Sequence, residues 1–186
     1  MLKLDHTGFI NMHTEIERKF LVANSLFKEQ AVRTMKIRQG YIGTPGKGEA
    51  RVSIRDNKAW VMIKSNTKLS RLEYEIPIPK EDAEKLLVET CGRIISKTRY
   101  IIPSESDMLK WEVDEFHGED EGLILAEIEL PSEDTIFDKP DWIGVEVTDD
   151  SNFYNSSLSE KSYGDIQQSI MEAKAWDAWR DSLVKR

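Results

Sequence analysis

The stretch HTEIERKFLV, residues 13–22, places Glu15, Glu17 and Lys19 at alternate positions around Ile16, Phe20 and Val22. In an extended strand successive side chains point to opposite faces, so the two carboxylates and the ammonium share one face. The same doublet returns along the chain. Glu73 and Glu75 alternate with Leu72, Tyr74 and Ile76; Glu112 and Asp114 with Trp111 and Val113; Glu127 and Glu129 with Ala126, Ile128 and Leu130. Basic residues follow the same rule: Arg51 and Arg55 oppose Val52 and Ile54, Lys97 and Arg99 oppose Thr98 and Tyr100, and Lys64 and Glu146 each sit singly between apolar neighbours.

Strands with one apolar and one charged face can build a sheet whose charged side is merely solvated and paired by cross-strand salt bridges. Solvated faces mix in Thr, Ser, Gln and Asn, whereas acid doublets dominate these. A sheet of about eight strands tends to curl closed, and closure with the charges inside makes a tunnel. Carboxylates two apart on one face lie roughly 7 Å from each other, and several such doublets in one lumen repel unless cations offset them. The accompanying lysines and arginines repel metals but suit phosphate oxygens. A polyanion that chelates a divalent metal satisfies both sets, and triphosphate with Mg²⁺ or Mn²⁺ fits, because all-oxygen ligands suit hard cations.

The alternating runs that must carry these residues are 14–22, 36–43, 49–56, 59–65, 71–78, 94–102, 109–116, 122–130 and 143–148, an antiparallel meander with helices inserted. RDNKA, residues 55–59, reads as a tight hairpin turn. Helices are expected at 24–31, capped by Asn24 or Ser25, at 80–91 with a stop at Gly92, and at 132–138. The last segment repeats Ile166, Ile170, Ala173, Trp176, Trp179 and Leu183 every three or four residues behind Asp165, the expected N-cap. It reads as a helix packing one face on the domain or on a second subunit.

A chain of 186 residues is enough for one well-buried domain. A formal net charge of −8 argues against binding nucleic acid or membrane through bulk electrostatics. The single cysteine, Cys91, excludes an intramolecular disulfide and a multi-cysteine metal cluster and fits a reducing compartment. With neither a signal peptide nor a membrane-length apolar run, the expected setting is soluble and cytoplasmic. Residues 1–12 read as an N-terminal extension, with Met12 as an alternative start.

The segment EIERKFLV resembles the E-x-E-x-K signature of the CYTH superfamily, the triphosphate tunnel metalloenzymes. RQGYIGT, AWVMIKS, SRLEYEIPI, ISKTRYII, WEVDEFHG, GLILAEIEL and GVEVTDDSNFYNSSL are similar to that family's successive blocks, in order, from about residue 13 to 160. The resemblance implies an α+β, mainly β fold: a closed eight-stranded antiparallel barrel with helices outside it, a tunnel domain at 13–162 and a C-terminal helix at 163–186. It implies metal-dependent hydrolysis of a triphosphate, tripolyphosphate above all, with nucleoside or thiamine triphosphate hydrolysis, adenylyl cyclisation and non-catalytic polyphosphate binding as alternatives.

By position, Glu15, Glu17 and Glu146 would hold a metal. Lys19, Arg51, Arg55, Lys64, Lys97 and Arg99 would grip phosphates, and Glu127 and Glu129 would serve a second metal or the attacking water. Lys19, Glu127 and Glu129 are the expected catalytic set, and Glu73, Glu75, Glu112 and Asp114 further lumen acids. The partner is a small-molecule triphosphate, and the last helix either caps the tunnel or mediates a homodimer. One position departs from the pattern: Ser53 stands where the family shows a second arginine of R-x-R. Either Arg55, one pleat further on, reaches back, or one phosphate grip is weaker.

Overall fold

The computed structural model describes residues 16–42, 48–65, 73–106 and 109–184. They form nine strands: β1 (Ile16–Val22), β2 (Arg33–Ile42), β3 (Gly48–Arg55), β4 (Lys58–Ser65), β5 (Glu73–Ile78), β6 (Ile95–Pro103), β7 (Lys110–His117), β8 (Ile124–Leu130) and β9 (Ile143–Glu146). All pairings are antiparallel, in one sheet of order β5-β4-β3-β2-β6-β7-β8-β1-β9. The nine antiparallel strands answer to the nine alternating runs, one more than the eight-stranded barrel that the resemblance implies. Two expectations are corrected: the order is not a simple meander, since β1 lies between β8 and β9 and β2 joins β6, and among the described residues no hydrogen bonds join the edges β5 and β9. The short β9 spends its pairing on β1, through Phe20↔Glu146 and Val22↔Ile143 with a register shift between them.

Alternation decides what each face does. The outer face carries two apolar clusters. Phe20, Ile102, Trp111, Val113, Ala126, Ile128 and Leu130 from β1, β6, β7 and β8 pack with Trp142 and with Phe27 of α1 (Phe27–Gln30). Val52, Ile54 and Ala59 of β3 and β4 pack under Ala83 and Leu87 of α2 (Lys80–Glu89). At the end of α2, Cys91 bridges to Ile42 and lies so close to β2 that a Cβ on Gly40 would come within 2.6 Å of the Cys91 Cβ. That contact requires glycine, and burial pushes the Cys91 thiol up.

The inward face turns apolar at one end, where Leu21, Ile95, Phe116, Leu125 and Val147 meet Phe153, Leu158, Ile166 and Ile170. The last three belong to α3 (Asn155–Leu158) and α4 (Tyr163–Val184), so the C-terminal segment plugs that end. Arg93 clasps the plug. Its guanidinium donates to the Leu158 and Lys161 carbonyls and pairs with Asp120, which in turn accepts from the Tyr163 N–H.

Four helix expectations change. The helix expected at 24–31 is only Phe27–Gln30, with Leu26 rather than Asn24 or Ser25 at its N-cap position. Residues 132–138 form no helix: Thr135 closes a single turn on Ser132 through backbone and hydroxyl contacts, and Pro140 follows. Phe137 is left to pack edge-on against Trp111 at 5.7 Å. Helix α2 stops at Glu89 rather than running to Cys91: Thr90 leaves the helical backbone at φ −124°, and its N–H and hydroxyl both donate to the Leu86 carbonyl. Asp165 is not the N-cap of α4; it lies inside the first turn and accepts from the N–H and hydroxyl of Ser162, each at 2.8 Å.

Candidate active site

The inward charged face lines one cavity of about 700 Å³. Every strand from β1 to β8 contributes to it: Glu17, Gln39, Arg51, Arg55, Trp60, Glu75, Lys97, Arg99, Glu112, Glu127 and Glu129 all reach the space. The sheet therefore curls round a lumen, although among the described residues its edges are not bonded to each other.

The contiguous strands β7, β8 and β1 make an acidic wall. Register sets Glu112 opposite Glu127 and Glu17 opposite Glu129. Directly opposed side chains have Cβ atoms roughly 5 Å apart, where like charges repel. Lys19 sits opposite Glu127 in the same register and bonds it at 2.6 Å, with Glu17 at 3.6 Å. Burial alone would lower the Lys19 ammonium, but Glu127 and Glu17 outweigh it and hold it above the ordinary lysine value.

Bases from β6 meet this wall and neutralise much of it. Lys97, with a side chain 1% exposed, contacts Asp114 at 2.5 Å. Arg99 takes Asp114 with both Nε and Nη2 at 2.6 Å, pairs with Glu112, and lies 3.4 Å from Glu127. Burial and these pairings oppose each other group by group. Burial prevails at Lys97, whose pKa falls despite Asp114. At Arg99 the burial penalty is outweighed by Asp114 and Glu112, and its pKa rises. At Asp114 burial is outweighed by Arg99 and Lys97, and at Glu127 by Lys19 and Arg99, so both carboxyls stay below the usual range. On the β3 side Arg55 pairs with Glu75 at 2.8 Å and lies over Trp60 at 5.1 Å.

The expectation that lumen carboxylates need bound cations to coexist is thus corrected: the chain's own bases offset most of them. Among the described residues, Glu129 has no base within salt-bridge distance, and no three acidic, histidine or cysteine side chains converge to hold a metal by themselves.

Glu146 also stands elsewhere. It is registered with the outward-facing Phe20, and its carboxylate accepts from Arg18 Nη2 at 2.9 Å and from the Thr148 hydroxyl at 2.8 Å. Burial is outweighed there by Arg18, which lowers the carboxyl. It does not line the cavity with Glu17. Glu15 lies outside the described residues, as do the side chains of Lys64 and Glu73. Ser53 is buried between Gln39 and Trp60 in the register, while Arg51 and Arg55 both reach the cavity, 3.2 and 3.1 Å from the Met62 sulfur.

The cavity holds residues that the alternating motifs did not single out. Arg33, Lys58 and Lys110 continue inward rows of β2, β4 and β7, so extending the alternation to the strand ends would have found them. Asn155 had no such signal, because it comes from α3 in the plug. Its Oδ1 accepts from Lys97 Nζ at 3.1 Å and from Gln39 Nε2 at 3.5 Å. Met35, Ile37, Trp60, Met62 and Ile101 add an apolar strip to the lining.

Comparison with known proteins places this geometry. The CYTH domain matches residues 13–163. The chain is 43% identical over 159 residues to an inorganic triphosphatase of Acetivibrio thermocellus, covering 84% of this chain and all of that protein. An inorganic triphosphatase of Nitrosomonas europaea is 40% identical over 149 residues, covering 78% of this chain and 97% of the relative. A crystal structure of an inorganic triphosphatase superposes with a TM-score of 0.64 at 37% identity, over 81% of this chain and 97% of that one. A Pyrococcus horikoshii protein at 18% identity and a TM-score of 0.51 shares the fold, over 64% of this chain and 79% of its own. The match over residues 13–163 and the relatives at 43% and 40% identity make the chain a member of the CYTH domain family.

Proposed function

We propose that the protein is a divalent-metal-dependent triphosphatase that hydrolyses inorganic tripolyphosphate to pyrophosphate and phosphate. The observation that carries this reading is the division of one lumen into an acidic wall on β7, β8 and β1 and a set of bases from β3 and β6. The names of the two relatives at 43% and 40% identity support it. The lumen serves as the tunnel, and β5 and β9 need only approach each other around the ligand.

The donor set suits Mg²⁺ or Mn²⁺. Glu17 and Glu129 are opposed carboxylates with only Lys19, at 3.6 Å from Glu17, nearby among the described residues. Magnesium is held by one or two carboxylates with phosphate oxygens supplying further ligands, so no complete protein cage is required. Bound there, with Glu15 as a further expected ligand, the metal supplies charge neutralisation at the phosphate oxygens.

The chain's own residues do the rest. Arg55, Lys97 and Arg99 exchange carboxylate for phosphate contacts and, with Arg51, hold the chain of phosphates in line. Lys19, kept charged by its neighbours, stabilises negative charge on the phosphoryl oxygens. Glu129 orients water at the terminal phosphorus, since Glu127 is engaged by Lys19. A cytoplasmic setting agrees with the lone Cys91, and no described helix is long and apolar enough to cross a membrane.

The apolar strip with Trp60 favours a second reading, a triphosphate bearing an organic end such as a nucleoside or thiamine. Phosphate release from tripolyphosphate, ATP, thiamine triphosphate and pyrophosphate, each with Mg²⁺ or Mn²⁺, separates the readings. Tripolyphosphate is expected to have the highest kcat/KM. Faster turnover of an organic triphosphate moves the assignment to the second reading; cyclic AMP as main product, or binding without release, overturns both.

A further inference from the structure

Helix α4 changes character along its length. Ile166, Ile170 and Ala173 pack into the plug, but from Lys174 to Leu183 no described side chain is buried. This stretch lies beyond Tyr163, where the CYTH domain match ends. A helical segment of about ten residues is marginal in water without a packing surface. Yet it carries two large apolar side chains in the open: Trp176 is 63% and Trp179 52% exposed, stacked on each other at 4.8 Å, and Leu183 is 50% exposed.

These three residues are spaced i, i+3, i+7, the a, d, a positions of one heptad. At 100° per residue their row lies about 115° round the helix from the row of Ile166, Ile170 and Ala173, so docking the helix on its own domain leaves the seam free. Counting from Trp176 as a, the preceding d position is Glu172, which is exposed, and Arg180 occupies e beside the seam. The seam is thus acidic at its start, aromatic in its middle and flanked by a base near its end. Two parallel copies in register would set Glu172 against Glu172. An antiparallel pair places a against d, so that Trp176 meets the opposite Trp179 and Glu172 comes level with the opposite Leu183. Arg180 of that partner helix is then three residues, about 4.5 Å, along the axis from Glu172, within reach of a long guanidinium side chain. The charges therefore complement an antiparallel copy of the same helix, twice over by symmetry. In the free chain Arg180 is turned to Asp177 and Glu172 accepts from Gln168 on the same helix, exposed contacts that cost little to exchange.

We infer that the C-terminal half of α4 is a self-association surface: two copies of the chain pair through antiparallel α4 helices along Trp176, Trp179 and Leu183. The area sets its strength. A tryptophan buries roughly 150–250 Å², so the exposed fractions of Trp176 and Trp179 contribute about 350–580 Å² to a symmetric pair. With Leu183 and the flanking stems the total stays at the low end of specific interfaces, which makes the dimer reversible and concentration-dependent.

Sedimentation velocity of the full chain over a wide concentration range tests this. The wild type is expected to shift from monomer to dimer as concentration rises. The double variant Trp176→Ala with Trp179→Ala should raise the apparent Kd by about tenfold or more, on the scale of lost aromatic anchors. Its melting temperature should stay near that of the monomeric wild type. Glu172→Lys and Arg180→Glu should each weaken self-association, and combining both in one chain should restore it, because each reversed residue then meets its reversed counterpart on the partner helix. A wild type that stays monomeric overturns the inference. So do single reversals without effect, which exclude the antiparallel register. A wild type that stays monomeric but whose tryptophan emission shifts to the blue with phosphatidylcholine and phosphatidylglycerol vesicles would assign the surface to lipid instead.

Discussion

Replacing Asp114 by Asn is the sharpest test of the idea that the lumen neutralises itself. The carboxylate is 4% exposed and receives Lys97 at 2.5 Å and Arg99 at 2.6 Å. Asparagine keeps the shape and removes the charge, leaving the buried Lys97 ammonium facing an amide and Arg99 with Glu112 and Glu127 alone. Breaking a buried pair by removing one partner costs roughly 3–5 kcal/mol. At roughly 2–4 °C per kcal/mol for a chain of this size, the melting temperature should fall by about 10 °C. Lys97→Met should cost less, because Asp114 keeps Arg99. The released cations make a second signature: tripolyphosphate without metal should raise the melting temperature of the Asp114→Asn protein more than that of the wild type. Thermal melts by circular dichroism, with and without tripolyphosphate, give both numbers. An Asp114→Asn protein as stable as wild type, or more stable, would refute the reasoning, because it would mean that lumen acids are net repulsive in the ligand-free state.

Glu17→Gln should go the other way, since Glu17 is opposed to Glu129 and only loosely paired: stability in metal-free buffer unchanged or slightly raised, with turnover lost and partly regained in excess Mn²⁺. Asp114 and Glu127 are held below their unfolded values of about 3.9 and 4.3, so the unfolded chain binds more protons as the pH drops. Their stabilisation is complete above those unfolded values and is lost as pH falls through the lower folded ones, and melts in acid should show a shallower slope for Asp114→Asn. Asn155→Ala should raise KM several-fold with little change in kcat, because Lys97 loses a neutral acceptor that aims it at the cavity; equal loss in kcat would make Asn155 part of the chemistry. Ser53→Arg should destabilise the fold by about 1–3 kcal/mol through overpacking rather than improve KM, since Ser53 is 1% exposed and both neighbouring arginines already reach the lumen.

Period-2 alternation made the strands and most of the lumen legible, because a face is a property of a single strand and the sequence states it outright. Glu17, Arg51, Arg55, Glu75, Lys97, Arg99, Glu112, Glu127 and Glu129 all line the cavity that their alternation predicted. Glu146 misled because its strand is short and shifted: a lone charge between apolar neighbours does not say which face is inside, and β9 is registered to put it beside Arg18, outside. The ninth strand was legible as the run 143–148, but its place beside β1 and the unjoined edges were not, since pairing between segments far apart in sequence is decided by register and not by composition. What counts most for function lies at that same level. Alternation placed acids and bases on one face but could not say which acid meets which base. The register does so: Lys19 falls to Glu127, Lys97 and Arg99 to Asp114, and among the described residues Glu129 faces Glu17 without a base of its own. Under the proposed function, ligand entry would therefore be an exchange rather than an addition. Each phosphate oxygen that takes a base frees a carboxylate, and each freed carboxylate is a potential metal ligand, so triphosphate and divalent cation should each bind more tightly in the presence of the other. Thermodynamic reciprocity requires the same coupling factor in both directions, and titrating each ligand at fixed levels of the other measures it from both sides.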